Sequence, residues 1–393
     1  MTGAFRDSTS NSAERQVILY SAGTAARRRK VAERVDRLMA GIDWTRLTAI
    51  LLRRRLLPTL GPRIVELSNG RASEGFRAEV EEAIAACRRH GVFLQLVTLR
   101  AMAMLAQAGV RSAALKGPLL GEAIYGDPGR RPSSDIDLLI DPGQLQTAVA
   151  VVRELGYGAP DDYVYDGLPL LHFVLVHERG ELPPIELHWR VHWYERQFAC
   201  ERLLPPPGVR PDGWRAAPAD ELAALLLFYA RDGFVGLRLA SDLSAWWDIH
   251  GAEFPPGALD DLLSAYPQLA RVVPAAIRVA EEVVGLPARQ IIDETPGLGL
   301  RGRTAVRLAN PHPQSSRAQV YADIGLIDGL LMPSGGFGAF VRRNLLLPPE
   351  VLRQQARHGA RRRARSSLGR GAGMLGRYGL TIARLLRAPE VLP

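Results

Sequence analysis

Three carboxylates carry the clearest chemical signal in this sequence. Asp135 and Asp137 stand in the segment SDIDLLI, at the start of an apolar run, and Glu186 stands in a second apolar segment, PIELHW. Successive side chains of a strand alternate between faces, so Asp135 and Asp137 are predicted to share one. Neighbouring carboxylates repel unless a cation lies between them, and such ligands suit Mg²⁺, with Mn²⁺ as the alternative. If the two strands are neighbours, the three side chains can hold two ions.

A lysine and a glycine precede these carboxylates in a turn that is typical of phosphate binding. Lys116 is one of only two lysines among 50 basic residues, and Gly117 follows it directly before a predicted helix. Glycine lets the backbone approach a phosphate closely, and the start of a helix offers free N–H groups. The alternative for Lys116 is a solvated charge at a strand end.

The loop between this turn and the carboxylates supplies further candidates for nucleotide binding. Arg130 and Arg131 precede Asp135, where a second phosphate contact is expected, and Ser134 adjoins it. The alternative for each arginine is an ion pair with the nearby Asp127.

Half of the eight histidines fall between positions 172 and 192, but their spacing does not predict a histidine-rich metal site. His188 lies two residues after Glu186 and should share its face, so we predict a role at the substrate or in supporting the carboxylates. His172 and His177 lie on a neighbouring predicted strand and are interpreted as structural.

Hydrophobic periodicity predicts helices on both sides of a small sheet. Residues 1–25 resemble a loose polar leader. Helices are predicted over 27–39, from an Asp43 cap to about 57, from Ser73 to 89 and, after an interruption at Gly91, over 93–108. The order β-α-β-α-β-β follows, and from an Asp220 cap the chain is again helical to 285. Irregular structure with short helices is predicted over 286–350.

These patterns predict an α+β fold in four segments. They are an N-terminal helical region over 1–108, a small mixed β-sheet core over 109–200, a C-terminal helical region over 201–350 and an Arg-rich tail over 351–393.

Charge is distributed unevenly along the 393 residues. The formal net charge is +9, and the tail alone, with ten arginines and one glutamate, accounts for it. The balanced body argues against a uniformly basic nucleic-acid groove, whereas the tail could contact a polyanion or an acidic membrane. The alternative for the tail is a solvated extension. With no secretory signal, no apolar run of membrane-spanning length and only two cysteines, a cytoplasmic location is expected.

The motifs together resemble a known family. The turn LKG, the segment YGDPGRRPSSDIDLLI, then ELGY and IELHW resemble the bacterial uncharacterised nucleotidyltransferase family, within the superfamily of DNA polymerase β. The resemblance covers residues 110–195 most strongly and extends into the flanking helices. It implies a nucleotidyltransferase core at 109–200, with Asp135, Asp137 and Glu186 as the catalytic, metal-binding carboxylates. Many members of the superfamily have Gly-Ser in the phosphate turn, where this chain has Lys116-Gly117.

The resemblance implies a Mg²⁺-dependent transfer of a nucleoside monophosphate from a nucleoside triphosphate such as ATP to a hydroxyl or phosphate acceptor. A small molecule or a modified peptide, as in natural product biosynthesis, is favoured over tRNA because the body carries no net charge. Two alternatives stay open at this point. One is a non-catalytic module that binds nucleotide or a partner. The other is a glycosyltransferase using D-x-D and a sugar nucleotide, although there the apolar strand normally precedes the motif.

Overall fold

The computed structural model describes residues 12–158, 171–211, 214–293, 297–311, 317–344 and 367–387. Within these residues a small sheet is surrounded by helices, as the predicted α+β class requires. None of the described helices is both long and apolar enough to cross a bilayer.

From residue 12 onwards six helices precede the sheet, and side chains cap the starts of several of them. Asp43 accepts a hydrogen bond from the Arg46 N–H at 2.9 Å, and Ser73 accepts one from the Phe76 N–H at 3.2 Å. Both caps were predicted. The helices are α1 (Ala13–Ser21), α2 (Ala25–Lys30), α3 (Ala32–Met39), α4 (Trp44–Arg53), α5 (Leu57–Leu67) and α6 (Glu74–Gln107).

Two predictions for this region are wrong. Residues 13–21 are helical rather than a loose leader, because Val17 and Ile18 are buried in the core. Helix α6 also runs through Gly91 without interruption. At Gly91 the helix passes the Pro128 carbonyl so closely that an added Cβ would lie 3.0 Å from that oxygen. The glycine therefore serves a close packing contact and does not end the helix.

The central segment has the predicted order β-α-β-α-β-β. The strand order in the sheet is β1-β2-β4-β3. Strands β2 and β4 pair in parallel, and the two edge strands, β1 and β3, are antiparallel to their neighbours. The elements are β1 (Ser112–Ala114), α7 (Gly117–Tyr125), β2 (Ile136–Ile140), α8 (Leu145–Glu154), β3 (His172–Leu175) and β4 (Ile185–His188).

The two faces of this sheet have different surroundings. Ile136, Leu138 and Ile140 point to one face, where they form a compact core with α8 and the C-terminal half of α6. Residues Asp137 and Leu139 alternate to the opposite face. Leu139 joins the larger core there, and Asp137 is the first residue of the candidate site.

The larger core unites helices from both ends of the chain. Val17 and Ile64 from the N-terminal helices share it with Trp246 and Val279. The C-terminal helices are α9 (Pro218–Arg231), α10 (Arg238–His250), α11 (Asp260–Ala265), α12 (Val272–Val284), α13 (Ala288–Ile291), α14 (Gly299–Arg307), α15 (Arg317–Leu331), α16 (Phe337–Asn344) and α17 (Ser367–Arg387).

Two features of this region differ from the sequence-based expectation. Helix α9 begins at Pro218, so Asp220 lies in its first turn and pairs with Arg202 at 3.0 Å rather than capping it. Part of the tail is folded, since α17 packs on α15 through the buried Tyr378, and Gln319 donates to the Thr381 hydroxyl at 2.8 Å. The arginine run at 358–365 lies outside the described residues, so its polyanion or membrane contact stays a prediction.

Candidate active site

Asp137 and Glu186 meet on one face of the sheet because of how β2 and β4 pair. The parallel register sets Asp137 directly beside Glu186, so their side chains leave the sheet on the same side. Asp135 immediately precedes β2 and is half-buried, and the charges of both other carboxylates act on it. Sequence alternation predicted that Asp135 and Asp137 share a face, and the strand register sets Glu186 beside Asp137.

Lys116 reaches this face from the end of β1. The backbone N–H of Leu115 donates to the Asp137 carbonyl at 3.1 Å, which extends the β1–β2 ladder to the residue before the lysine. The Lys116 ammonium lies 3.1 Å from Asp137 Oδ1 and 4.5 Å from the centre of the Phe228 ring on α9. It is thus held between a carboxylate and an aromatic face, an arrangement that orients a cation.

Gly117 allows the chain to turn from this lysine into α7. Its φ of +80° lies in the left-handed region, which favours glycine. The Ser133 hydroxyl is the nearest atom in the loop that follows, 4.0 Å from the position a Cβ would take. Helix α7 has no side-chain cap, so its start beside Lys116 offers free backbone N–H groups, which suit an anion.

Two imidazoles complete the face. His188 Nε2 donates to Asp137 Oδ1 at 2.9 Å and lies 3.2 Å from Glu186 Oε2. His172 pairs with His188 across β3 and β4, with ring centres 4.6 Å apart, and its Nε2 lies 3.5 Å from Glu186 Oε2. His188 is fully buried, so its bridging position between the two carboxylates is fixed by packing.

Burial and charge act on the carboxylates in different ways. Burial raises the pKa of Asp135, and the negative charges of Asp137 and Glu186 raise it further. Burial alone would raise the pKa of Asp137, but Lys116 and His188 more than offset this and hold it well below its ordinary value. Burial alone would also raise the pKa of Glu186, but the hydrogen bond from His188 outweighs this, and the pKa lies below its ordinary value.

His172 stays neutral near pH 7. Burial, together with the neighbouring His188, lowers the pKa of the His172 imidazole to about 4. A neutral imidazole has a free lone pair, and ligand atoms of His172, Glu186 and His188 lie within 4.8 Å of one another. Of the three carboxylates predicted to bind metal, this converging group of described residues contains Glu186 alone. Carboxylate oxygens and a neutral imidazole are donors with the chemistry to hold a divalent cation.

The two arginines of the loop have contacts outside this cluster, and the third loop candidate lies at the surface. Arg130 turns towards α5, where its Nη2 donates to the Thr59 carbonyl at 3.3 Å. Arg131 is buried and pairs with Asp242 on α10 through a 3.0 Å contact. Ser134 is exposed. The structure thus gives Arg131 an anchoring contact, in place of the predicted open position for a phosphate.

Several residues near the site were not found by sequence reasoning. His172 was interpreted as structural, and only the strand pairing reveals its contact with Glu186. Phe228 and Arg238 come from helices more than 90 residues after the carboxylate motif. The charge of Arg238 lowers the pKa of Asp135, partly offsetting burial. Nothing local in the sequence marks these two residues.

Comparison with known proteins supplies one match. A family model described as an uncharacterised nucleotidyltransferase matches residues 40–285, which is more than half of the chain and includes every residue of the cluster. No curated protein and no solved structure matches the chain.

Proposed function

The chain belongs to the uncharacterised nucleotidyltransferase family, and on that premise we propose that it transfers a nucleoside monophosphate from a nucleoside triphosphate to an acceptor. In this reaction a bond forms between an acceptor oxygen and the α-phosphorus while the bond to the bridging oxygen breaks, and pyrophosphate leaves. A hydroxyl acceptor also loses its proton. The observation that carries the proposal is the register of Asp137 beside Glu186 with Asp135 at the same strand mouth.

Asp135, Asp137 and Glu186 are the residues that would hold Mg²⁺ or Mn²⁺. Their mutual repulsion, seen in the raised pKa of Asp135, is what a bound cation relieves. When bound, divalent ions would neutralise phosphate charge and act as Lewis acids towards the α-phosphorus.

Lys116 and Gly117 would hold the leaving phosphates. The Lys116 ammonium lies close enough to Asp137 to pair with it, and the same flexible side chain can turn to a phosphate at the start of α7. A compact ammonium suits this narrow place, where Phe228 already covers one side.

His188 is a positioning residue in this proposal. Its Nε2–H contacts both Asp137 and Glu186, so it fixes the orientation of the two carboxylates. Its Nδ1 is buried and has no hydrogen-bond partner among the described residues, so Nε2 is the ring nitrogen that contacts the carboxylates.

The acceptor class is proposed from the surroundings of the site. Helix α9 borders it through Phe228, and the body carries no net charge outside the tail. A small molecule or modified peptide therefore suits it better than tRNA. In the fold the apolar strand β2 begins within the D-x-D motif rather than before it, which disfavours the glycosyltransferase alternative.

The test is nucleotide turnover with a matched acidic control. Purified protein is incubated with each α-labelled NTP, Mg²⁺ or Mn²⁺ and host extract, and pyrophosphate release and the labelled product are followed. Asp137→Asn should reduce release at least about a thousandfold. Asp141→Asn, which changes a carboxylate just after β2 that caps a turn, should retain activity. Equal activity in the two variants, or no release by the wild type, would overturn the proposal.

A further inference from the structure

A cavity of about 590 Å³ lies between the α4–α5 turn, the α9–α10 loop and α1. Five of its nine lining residues are arginines, and no acidic side chain is among these described residues. This volume is in the ordinary range for small-molecule sites. The arginines are Arg15, Arg53, Arg54, Arg55 and Arg238.

Three of the five arginines of this cavity are exposed. Arg53, Arg55 and Arg238 are exposed, and none of the three forms an ion pair with a described residue. Burial and the like charges of Arg15 and Arg53 lower the pKa of Arg54. Converging guanidinium groups that repel one another are stabilised by a bound anion, and phosphate accepts their paired N–H groups.

The backbone around the cavity also favours an anion. Helix α10 begins at Arg238, has no side-chain cap on its N-terminus and therefore adds the positive end of its dipole to this wall. Both bordering loops contain a non-glycine residue with left-handed φ, Arg55 at +55° and Phe234 at +57°. Such residues cost conformational energy, and here they shape the two loops that present the arginines.

Arg238 connects the cavity with the carboxylate site. This residue lines the cavity, and its charge also acts on Asp135. On the sheet side, Lys116 and Gly117 already provide a place for the donor phosphates. The cavity is lined by residues of the two flanking helical regions, and in the proposed function the acceptor would bind there.

We propose that this arginine cavity binds a phosphate group of the acceptor, so that the acceptor is a phosphorylated small molecule or a phosphate-bearing group on a larger one. The assignment to the acceptor rests on the proposed function, whereas phosphate binding at the cavity does not.

The test separates the cavity from the carboxylate site. Binding of inorganic pyrophosphate to the full chain is measured by calorimetry in EDTA, where the carboxylates have no metal. Arg53→Gln/Arg55→Gln should weaken binding about tenfold or more. The matched control Arg100→Gln/Arg153→Gln removes two exposed positive charges outside the cavity and should leave binding unchanged. Lys116→Ala is measured beside them to detect any pyrophosphate bound at the sheet.

Three results would overturn the proposal. Equal weakening in the two double variants would show only a response to net charge, and weakening by Lys116→Ala alone would place the anion at the sheet. If Arg53→Gln/Arg55→Gln weakened ATP binding in Mn²⁺ as strongly as pyrophosphate binding, the cavity would hold the donor. If the wild type released no pyrophosphate from any NTP while the cavity variants still lost phosphate binding, the transfer proposal would fail and phosphate binding at the cavity would stand.

Discussion

The buried pair between Arg131 and Asp242 should be the most sensitive electrostatic contact in the described structure. It joins the loop before Asp135 to helix α10, and its side chains are only 3% and 1% exposed. Asp242 also accepts a hydrogen bond from the Tyr125 hydroxyl at 3.0 Å. Removing the charge of Asp242 leaves a guanidinium buried without its partner.

Asp242→Asn isolates this charge effect, because asparagine keeps the size of the side chain and an oxygen for Tyr125. Loss of one partner of a buried pair typically costs about 3–5 kcal/mol. We expect a loss of about 3 kcal/mol in the free energy of unfolding, since one hydrogen bond is retained. The measurement is urea unfolding followed by circular dichroism.

An exposed arginine provides the control. Arg278 pairs with Glu282 at 2.9 Å, but its side chain is 49% exposed, so Arg278→Gln should cost less than about 1 kcal/mol. Arg131→Met/Asp242→Leu removes both buried charges and should lose less stability than Asp242→Asn. The reasoning is refuted if Asp242→Asn costs no more than Arg278→Gln, or if the double variant is the least stable of the three.

Three further predictions concern pH. Lys116→Met should raise the pKa of Asp137. A lowered carboxyl pKa stabilises the folded state only at pH values above the pKa of the unfolded chain, which is about 4. The variant should therefore be less stable than the wild type at neutral pH and approach it as the pH falls below about 4. Urea midpoints across this range test this, and a pH-independent difference contradicts it. His172, with a pKa of about 4, should reduce stability as pH falls from about 6.5 to 4, and an NMR titration of its ring with a midpoint near 6.5 would exclude this. Burial raises the pKa of Glu195 to about 7, so stability should fall as pH rises from about 4.5 to 7, and Glu195→Gln should flatten that slope in unfolding curves. An unchanged slope would show that the carboxyl is not protonated in the folded state.

Local sequence signals predicted the elements that depend on local chemistry. The run at 136–140 is short, apolar and bounded by turn residues, and it forms β2 as expected. The caps at Asp43 and Ser73 satisfy N–H groups three residues away. Gly91 was misread because its helical cost is outweighed by a contact with a turn some 37 residues later, which no local pattern encodes.

The candidate site was predictable only in part for the same reason. Alternation predicts a common side for Asp135 and Asp137, and this stays a prediction because Asp135 lies just before β2. The partnership of β2 with β4, and of β3 with β4, depends on long-range pairing, and this pairing brings Glu186 and His172 to the cluster. Arg131 was predicted to contact a phosphate, because nothing near it in the sequence indicates its partner Asp242, which lies 111 residues away.

Helix α6 gives the two hydrophobic cores a shared structural member. Phe76 and Val80 near its start lie in the larger core, and Leu94 and Leu105 lie in the core beneath the sheet. Its 34 residues span about 51 Å, so neither core can lose this helix without exposing apolar surface in the other. The protein should therefore melt in one cooperative calorimetric transition. A ligand bound at the sheet should also slow amide hydrogen exchange in α4 and α5, well beyond the residues it touches.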